Sequence, residues 1–240
     1  MGSPCRDSRR TSTSTIATLG WVQPVTQEAA IRKGSPVSEQ TTAPPPVGRG
    51  RGREGVARGR ILDAASELFY AHGIRGTSAD RIIEAAGLTK GTFYRHFPTK
   101  TELVVAYLER QAALERAGYE AAVDQADPLD ALARLAEFIG TVSCMPGFRG
   151  CAFINAAAET PDPDDPVRVV VDSHRRWTHD LFAAIAARAG VADPETVARR
   201  LVMLRDGAMI GGYLGAPEEI SETLRGAYLA AVRTDLPAAP

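Results

Sequence analysis

The chain has 240 residues, 44% of them hydrophobic, and a formal net charge of −1. This length and apolar content suffice for two domains, one with a sizeable core, while the near-neutral total argues against a protein that binds polyanions by charge alone. No apolar run approaches the ~20 residues of a membrane span, and the N-terminal segment lacks an apolar signal core, so the sequence predicts a cytoplasmic protein with no membrane partner.

Charge is distributed unevenly along the chain. Residues 47–100 hold ten Lys/Arg against five Asp/Glu, a net of +5, whereas residues 101–240 hold thirteen against twenty-one, a net of −8. Residues 1–46 hold five against three, a net of +2. Any attraction for phosphate is therefore concentrated in residues 47–100.

Residues 1–47 have few large apolar residues and no helical period. Their clustered Ser, Thr and Pro predict a disordered arm. Gly and Arg then alternate over residues 48–53, just before the first predicted helix. Arginine favours narrow minor grooves and glycine lets a backbone follow a groove wall, so Arg49, Arg51 and Arg53 predict a minor-groove contact. A soluble linker with incidental charge is the alternative interpretation.

The next segment carries the start and stop signals of two short helices. The first helix is predicted by apolar residues at steps of four, three and one, namely Ile61, Ala65, Leu68 and Phe69. Gly73 follows as a left-handed stop. Thr77 is the predicted N-cap of the second helix, with Asp80 three residues on, and Gly87 ends that helix.

A third helix starts almost at once, with Thr89 as its cap and Leu88 and Phe93 as the apolar pair that flanks the cap. A helix that ends at glycine, followed two residues later by a new capped helix, must turn sharply. This is the helix-turn-helix geometry, whose second helix enters the major groove of DNA. Gly91 allows close backbone approach, and the third helix offers hydrogen-bond donors at Lys90, Thr92, Tyr94, Arg95 and His96.

Pro98 ends the third helix, and Thr99 caps a fourth. Lys100 then lies in the first turn of that fourth helix, where its charge opposes the helix dipole. A phosphate partner would explain a lysine at this position, which helix stability alone does not favour.

The segments ILDAASELF, TSADRIIEAAGLTKGTFYRHF and KTEL, between Arg60 and Leu103, resemble the DNA-binding domain of the TetR family of transcriptional regulators. The resemblance implies an all-α homodimer with a helix-turn-helix head at residues 48–100 and a ligand-binding and dimerisation body at residues 101–240. It implies that the recognition helix faces DNA and that Lys100 contacts a phosphate. The full predicted DNA-binding set is Arg60, Thr77, Ser78, Thr89, Lys90, Gly91, Thr92, Tyr94, Arg95, His96 and Lys100.

In the body, Asp-Pro pairs mark the starts of helices, because aspartate is a favoured N-cap and proline is favoured at the first helical position. The pairs begin at Asp127, Asp165 and Asp193. With no alternating strand signal, the body is predicted to be all-helical. Its predicted helices span residues 99–118, 128–144, 148–159, 166–189, 194–213 and 217–233.

The last two predicted helices carry apolar stripes beside several glycines. Such stripes serve either the core of one subunit or an interface between two, and the resemblance favours a four-helix bundle in a homodimer. Doubling the head on a palindromic site also supplies the base contacts that one head lacks. The predicted interface residues are Leu201, Leu204, Ala208, Ile220, Leu224 and Tyr228.

Aromatic and methionine residues of the body, with a few polar groups, predict a pocket for a small apolar effector. The candidates are Phe138, Phe148, Phe153, Asn155, His174, Trp177 and Met203, each of which is also an ordinary core residue type. No cofactor or metal is predicted, because no CxxC or HxxxH spacing occurs and the acidic run at residues 161–166 lacks the glycine of a calcium loop.

These features predict a ligand-responsive, sequence-specific transcriptional regulator, a repressor released from a palindromic double-stranded DNA operator by a small apolar molecule. A non-specific DNA-binding protein using the Gly-Arg segment is one alternative. The other is an enzyme using His174, His179 or Cys151. No nucleophile–base spacing, metal motif or phosphate-binding glycine loop supports that enzyme, so no catalytic residue is predicted.

Overall fold

The computed structural model describes residues 50–236, with side chains from Glu54 onward. Over this range the chain forms nine α-helices and one 3₁₀ turn and no strand, which confirms the predicted all-α class. The elements are α1 (Gly50–His72), α2 (Ala79–Ala86), α3 (Lys90–His96), α4 (Lys100–Val123), α5 (Pro128–Ser143), α6 (Ala152–Glu159), α7 (Pro166–Arg188), α8 (Pro194–Leu214), the 3₁₀ turn (Pro217–Glu219) and α9 (Ile220–Arg233).

The first helix begins earlier than the sequence predicted. Because α1 starts at Gly50, the backbone of residues 50–53 belongs to the first helix and does not precede it. A nucleated helix gains one hydrogen bond with each added residue, and arginine disfavours the helix much less than the intervening glycines do. Arg49 and the predicted disordered segment 1–47 lie outside the described residues, as do the side chains of Arg51 and Arg53.

Two body helices differ from their predicted bounds. α4 continues past residue 118 to Val123, because Gly118 is a contact point rather than a stop. A Cβ at Gly118 would lie 2.5 Å from Cζ of Phe138, so the bare backbone makes room for that ring. In contrast, α6 starts only at Ala152, since Gly150 adopts φ +76° and breaks the preceding segment.

The Asp-Pro pairs start the helices that the sequence predicted. The side chain of Asp165 accepts a hydrogen bond from Val167 N at 2.8 Å, and that of Asp193 accepts one from Thr196 N at 3.0 Å. Asp127 occupies the N-cap position of α5 without a side-chain capping bond. The proline at the first helical position is sufficient there, because its φ is already helical and it lacks the unpaired N–H.

One continuous apolar cluster joins the head to the body. In the body, α9 packs mainly against α5 and also against α8, which in turn packs against α7. Backbones of α5 and α9 approach closely at Gly140, where a Cβ would lie 2.6 Å from Cβ of Ser221. The apolar stripe of α9 therefore faces its own subunit.

Candidate nucleic-acid interface and the buried centre of the body

Helices α2 and α3 form the sharp turn that the sequence predicted. α2 ends at Gly87, which has φ +60° and donates its N–H to Glu84 O at 3.0 Å. α3 begins three residues later, and Thr89 caps it by accepting from Thr92 N at 3.2 Å. The left-handed glycine changes the direction of the chain and the threonine starts the next helix. A short, sharp turn therefore connects α2 to α3.

The start of α2 corrects one prediction. Ser78, not Thr77, is the N-cap, and its hydroxyl accepts from Arg81 N at 3.2 Å. Thr77 is fully buried and donates its hydroxyl toward Gly73 O at 2.8 Å and Leu68 O at 3.2 Å. It therefore ties the end of α1 to the start of α2 and has no surface to offer DNA. Two adjacent residues of cap-forming type left the sequence pattern ambiguous by one position.

Two phenylalanines fix which side of α3 is exposed. Phe93 and Phe97 are buried behind the helix, in contact with the core of the head. Tyr94 is 42% exposed and stands edge-on to the Phe93 ring at 5.1 Å. Thr92 and His96 are half-buried, and the other exposed positions are Thr89, Lys90, Gly91 and Arg95. None of the predicted donors is buried, so they lie on the sides of α3 that Phe93 and Phe97 leave accessible.

The charged groups around α3 divide into supporting and available ones. Arg60 lies beside Gly87, with Nη2 3.4 Å from its carbonyl oxygen, and so supports the turn from α1. Lys90 Nζ is 3.6 Å from Asp80 Oδ1, but both side chains are largely exposed, which makes this a weak pair. Lys100 is half-buried in the first turn of α4. Burial lowers the pKa of its ammonium, and the Glu159 carboxylate opposes that shift.

A cluster of polar side chains at the centre of the body was not predicted from the sequence. Arg205 of α8 and Glu115 of α4 are both buried and form an ion pair through Nη2 and Oε1. The guanidinium also contacts Tyr119 OH at 3.3 Å from Nε and Cys151 Sγ at 3.2 Å from Nη1. His174 Nε2 lies 3.4 Å from Glu115 Oε1. We call these five residues the buried polar cluster.

Electrostatics keep the Glu115 carboxylate of this cluster ionised. Burial alone would raise the pKa of Glu115, but the neighbouring Arg205 guanidinium and His174 outweigh it and lower that pKa to about 2. The buried Glu115 carboxylate persists because Arg205 compensates for its burial, and Arg205 has a second carboxylate, Asp206 Oδ1, 3.1 Å from its Nη1. In the sequence, this pair would be indicated only by a helical period that places a charged residue on the inward side of α4 or α8. Surface charges are too frequent in both helices for such a residue to stand out.

The predicted pocket residues separate into two groups. Phe153 and His174 are buried and stack with ring centroids 3.7 Å apart, and the Trp177 ring stacks with that of His174 at 5.8 Å. Two predictions are wrong: Asn155 is exposed and donates to Arg149 O, and Met203 is 73% exposed. Both lie on the outward sides of their helices, a distinction that residue type alone does not make.

Two small cavities flank the buried polar cluster, with volumes of about 10 and 20 Å³. Each has room for roughly one water molecule. Cys151 and Phe153 line both, and Phe148 lines the larger one, together with Tyr70 from α1. Phe138 packs edge-on against Tyr119 at 5.7 Å instead. Neither cavity approaches the ~300 Å³ of a typical ligand pocket.

The predicted dimer stripe is used largely within the subunit. Leu201 and Tyr228 have no exposed surface, and Leu224 and Ala208 are also buried, while Leu204 and Ile220 are half-buried. The exposed large apolar residues of α8 lie instead on another side of the helix, at Met203, Ile210, Tyr213 and Leu214. Burial of four of the six predicted interface residues corrects their assignment, because each stripe was compatible with either use.

The described residues hold neither a metal-binding cluster nor a membrane-spanning helix. Within residues 50–236, no three His, Cys, Asp or Glu side chains come together as a potential metal site. No helix in the part of the chain that the structure describes is long and apolar enough to cross a membrane.

Residues 61–107 match the family of bacterial regulatory proteins called the tetR family. The chain is 31% identical over 129 residues to LmrA, an HTH-type transcriptional regulator of Bacillus subtilis, covering 51% of this chain and 68% of that protein. An HTH-type transcriptional regulator of Mycobacterium tuberculosis is 32% identical over 148 residues, covering 62% and 70%. Among solved structures, SCO4454, a TetR-family regulator from Streptomyces coelicolor, shares 41% identity and a TM-score of 0.73, covering 75% of this chain and 96% of that one.

The capped turn between α2 and α3, and the polar face that α3 presents, define a helix-turn-helix transcriptional regulator. With these similarities, the chain belongs to the TetR family. That family consists of DNA-binding regulators rather than enzymes.

The buried ion pair yields a prediction about stability. Arg205→Met removes the partner of the Glu115 carboxylate, and we expect it to lower the free energy of unfolding by ~3–5 kcal/mol at neutral pH. The double variant Glu115→Leu/Arg205→Met removes both charges and should lose less. Urea unfolding of the three proteins measures these differences. A double variant as unstable as Arg205→Met would contradict the assignment of the loss to an unpaired charge.

The same pair makes the stability depend on acid. The pKa of Glu115 is lowered from 4.5 to about 2 on folding, so its stabilising contribution is complete above pH 4.5 and is lost as the pH falls toward 2. The wild-type chain should therefore lose stability relative to the double variant over that interval, as measured by urea unfolding at a series of pH values.

Proposed function

We propose that the protein is a repressor that binds a palindromic operator as a homodimer and is released from it by a small molecule. The observation that carries the DNA-binding part is the exposed face of α3, held outward by buried Phe93 and Phe97. It supports base contacts by Lys90, Thr92 and Tyr94 and a phosphate contact by Lys100 at the start of α4. Such a protein would act in the cytoplasm, on chromosomal DNA.

The remaining predicted DNA-facing groups take secondary places in this proposal. The hydroxyl of Thr89 caps α3 by accepting from Thr92 N and also lies 3.0 Å from Thr92 Oγ1. Arg60 supports the turn at Gly87, and Ser78 caps α2, so both stand beside the interface. Arg95 and His96 lie after Tyr94 at the end of α3 and would stand beside the major groove of the DNA. Arg49, Arg51 and Arg53 remain candidates for a minor-groove contact. Arg51 and Arg53 would make it from the start of α1.

Selection of bound sequences from random DNA tests the central claim. A regulator of a palindromic operator should recover an inverted repeat with half-sites about one helical turn apart, or a multiple of that distance. Recovery of no consensus, with affinity set by salt alone, would instead favour the non-specific alternative. Transcription from the recovered site, with and without the protein, distinguishes repression from activation.

Single substitutions should separate the two kinds of contact. Tyr94→Ala is expected to cost about 1–3 kcal/mol at particular base pairs, because it removes a group at the base edges. Lys100→Ala should weaken binding to all sequences alike and reduce the salt slope by about one for each phosphate that is no longer neutralised. Arg176→Ala removes an equal charge from an exposed site on α7 and should do neither. A changed base preference in Lys100→Ala would contradict the phosphate assignment.

The exposed apolar residues of α8 support the homodimer. Met203, Ile210 and Leu214 lie at steps of seven and four along one side of the helix, with Gly207 between them and nothing within 4 Å of its Cβ position. Leu214 is 75% exposed and Met203 73% exposed, and exposed large apolar side chains grouped on one side of a helix are typical of a surface that another protein covers. A second copy packed on this side would cover them.

Charge placed on this side of α8 should separate the subunits. Leu214→Lys is expected to convert a dimer into a monomer of 25.6 kDa in sedimentation, because a buried lysine would lack a partner. Operator affinity should fall with it, since each monomer carries one head. Val169→Lys, at a 59% exposed valine of α7, is the matched control and should leave the dimer intact. A wild-type chain that sediments as a monomer at micromolar concentration would refute the proposal.

The effector response has separate support from the centre of the body. The two cavities lie against the buried polar cluster, so a ligand that widened either one would meet Arg205, Glu115 or His174 as well as apolar walls. Trp177, 5.8 Å from the His174 ring, reports on that region by its fluorescence. We expect a true effector to change both this fluorescence and the operator affinity, with a coupling of about 1–3 kcal/mol. A ligand that alters fluorescence but not DNA affinity would leave the switch unsupported.

A further inference from the structure

A small set of polar contacts at the end of α1 connects the body to the head. Tyr70 OH accepts a hydrogen bond from Arg149 N at 2.8 Å and donates one to Gly150 O at 2.9 Å. The Arg149 guanidinium donates to Ala71 O, near the C-terminal end of α1. Burial raises the pKa of Tyr70 to about 12, so its hydroxyl stays protonated and able to donate. These contacts hold the segment before α6 against α1.

Glu159, the last residue of α6, makes a second and different contact. Its Oε1 accepts from Ile74 N at 2.9 Å and its Oε2 from Arg75 N at 2.7 Å. Both amides belong to the loop that connects α1 to α2. Hydrogen bonds from backbone N–H groups to a carboxylate are among the stronger ones in proteins, and two in parallel also fix direction.

The loop is built to receive this carboxylate. Gly73 has φ +82°, a conformation that favours glycine, and a Cβ there would lie 3.0 Å from Glu159 Oε1. Thr77 then fastens the other end of the loop by donating its hydroxyl to Gly73 O at 2.8 Å. Ser78 starts α2 in the next position, so the carboxylate is connected through a few rigid bonds to the helix that supports α3.

The charge of Glu159 and its hydrogen bonds to the loop predict opposite effects on DNA binding. The Glu159 carboxylate lies close enough to Lys100 to favour the charged form of the lysine. Lys100 is the group that we propose binds a phosphate. By charge alone, a carboxylate in that place repels DNA, and its removal would strengthen binding to every sequence. If instead it fixes the loop, its removal weakens binding to the operator.

We propose that Glu159 is a positioning residue for DNA binding: its carboxylate, bonded to the Ile74 and Arg75 amides, sets the angle at which the body presents the helix-turn-helix. It touches no base or phosphate and acts through the loop between α1 and α2. This role requires only that the chain bind DNA as members of its family do, and does not depend on an effector.

Three variants of the full-length chain test the proposal. Glu159→Ala removes both acceptors, and Glu159→Gln keeps one carbonyl oxygen that can accept from one amide. Asp164→Asn is the matched control, because it removes one negative charge from an exposed loop five residues further on. The readouts are hydrogen exchange of the Ile74 and Arg75 amides, and affinities for the operator selected by the wild-type protein and for random-sequence DNA. Circular dichroism checks folding.

We expect Glu159→Ala to speed exchange of the two amides at least tenfold. Its operator affinity should fall about tenfold, or about 1.4 kcal/mol, while affinity for random-sequence DNA stays the same or rises. Glu159→Gln should lie between this variant and the wild type. Asp164→Asn should leave both the exchange and the ratio of operator to random affinity unchanged.

Equal gains in affinity for both DNAs in Glu159→Ala would overturn the proposal and leave only charge repulsion. Unchanged amide exchange would overturn it as well. Should Glu159→Ala fail to fold, Glu159→Gln decides, because a wild-type affinity ratio in that variant contradicts a positioning role. Should the wild-type protein select no operator, the proposed repressor function fails on its own, and unchanged amide exchange in Glu159→Ala would still overturn the role of Glu159.

Discussion

Helix α4 packs against both the head and the body, and the position of the head relative to the body depends on it. Near its start, Leu103 and Tyr107 pack in the head, where the Tyr107 ring lies 5.7 Å from that of Phe69. Further along, Glu115 and Tyr119 enter the buried polar cluster of the body. Since a continuous helix is stiff along its axis and rises about 1.5 Å per residue, the centre of the body is mechanically connected to Lys100, about 22 Å away along that axis. A displacement of the residues around Glu115 would therefore reach the head through this helix.

The polar cluster gives that connection its chemical character. A centre filled only by apolar side chains could repack with small losses, whereas a buried ion pair tolerates little displacement, because each charge depends on the other for compensation. The two cavities beside it are small, so any ligand would have to separate packed elements to enter. Cys151 and Phe153 line both cavities and lie just before and within α6, the helix that ends at Glu159. A ligand that displaced them would move the residue that holds the α1–α2 loop.

The two surfaces proposed to bind macromolecules differ in how they arise. The face of α3 is exposed because Phe93 and Phe97 bury the opposite side, so the DNA-facing side is fixed by local packing within the head. The apolar side of α8 is exposed because Leu201 and Ala208 already occupy the inward side against the body core. In that helix both sides are apolar, and burial inside one subunit leaves Met203 and Leu214 for another. A single helix thus contributes to a core and to a proposed subunit interface at once.

The sequence by itself determined the local structure: the caps at Thr89 and Thr99, the stops at Gly73 and Gly87, the Asp-Pro helix starts and the all-α class. These depend on hydrogen bonds and dihedral preferences among residues a few positions apart, which a linear pattern records. Only the tertiary structure decided which side of each helix is buried, as shown by Thr77, Met203 and the apolar stripe of α9. It alone revealed the pairing of Glu115 with Arg205 and of Glu159 with the Ile74 and Arg75 amides. Those partners lie more than eighty residues apart, and only packing of the intervening helices brings them within hydrogen-bonding distance.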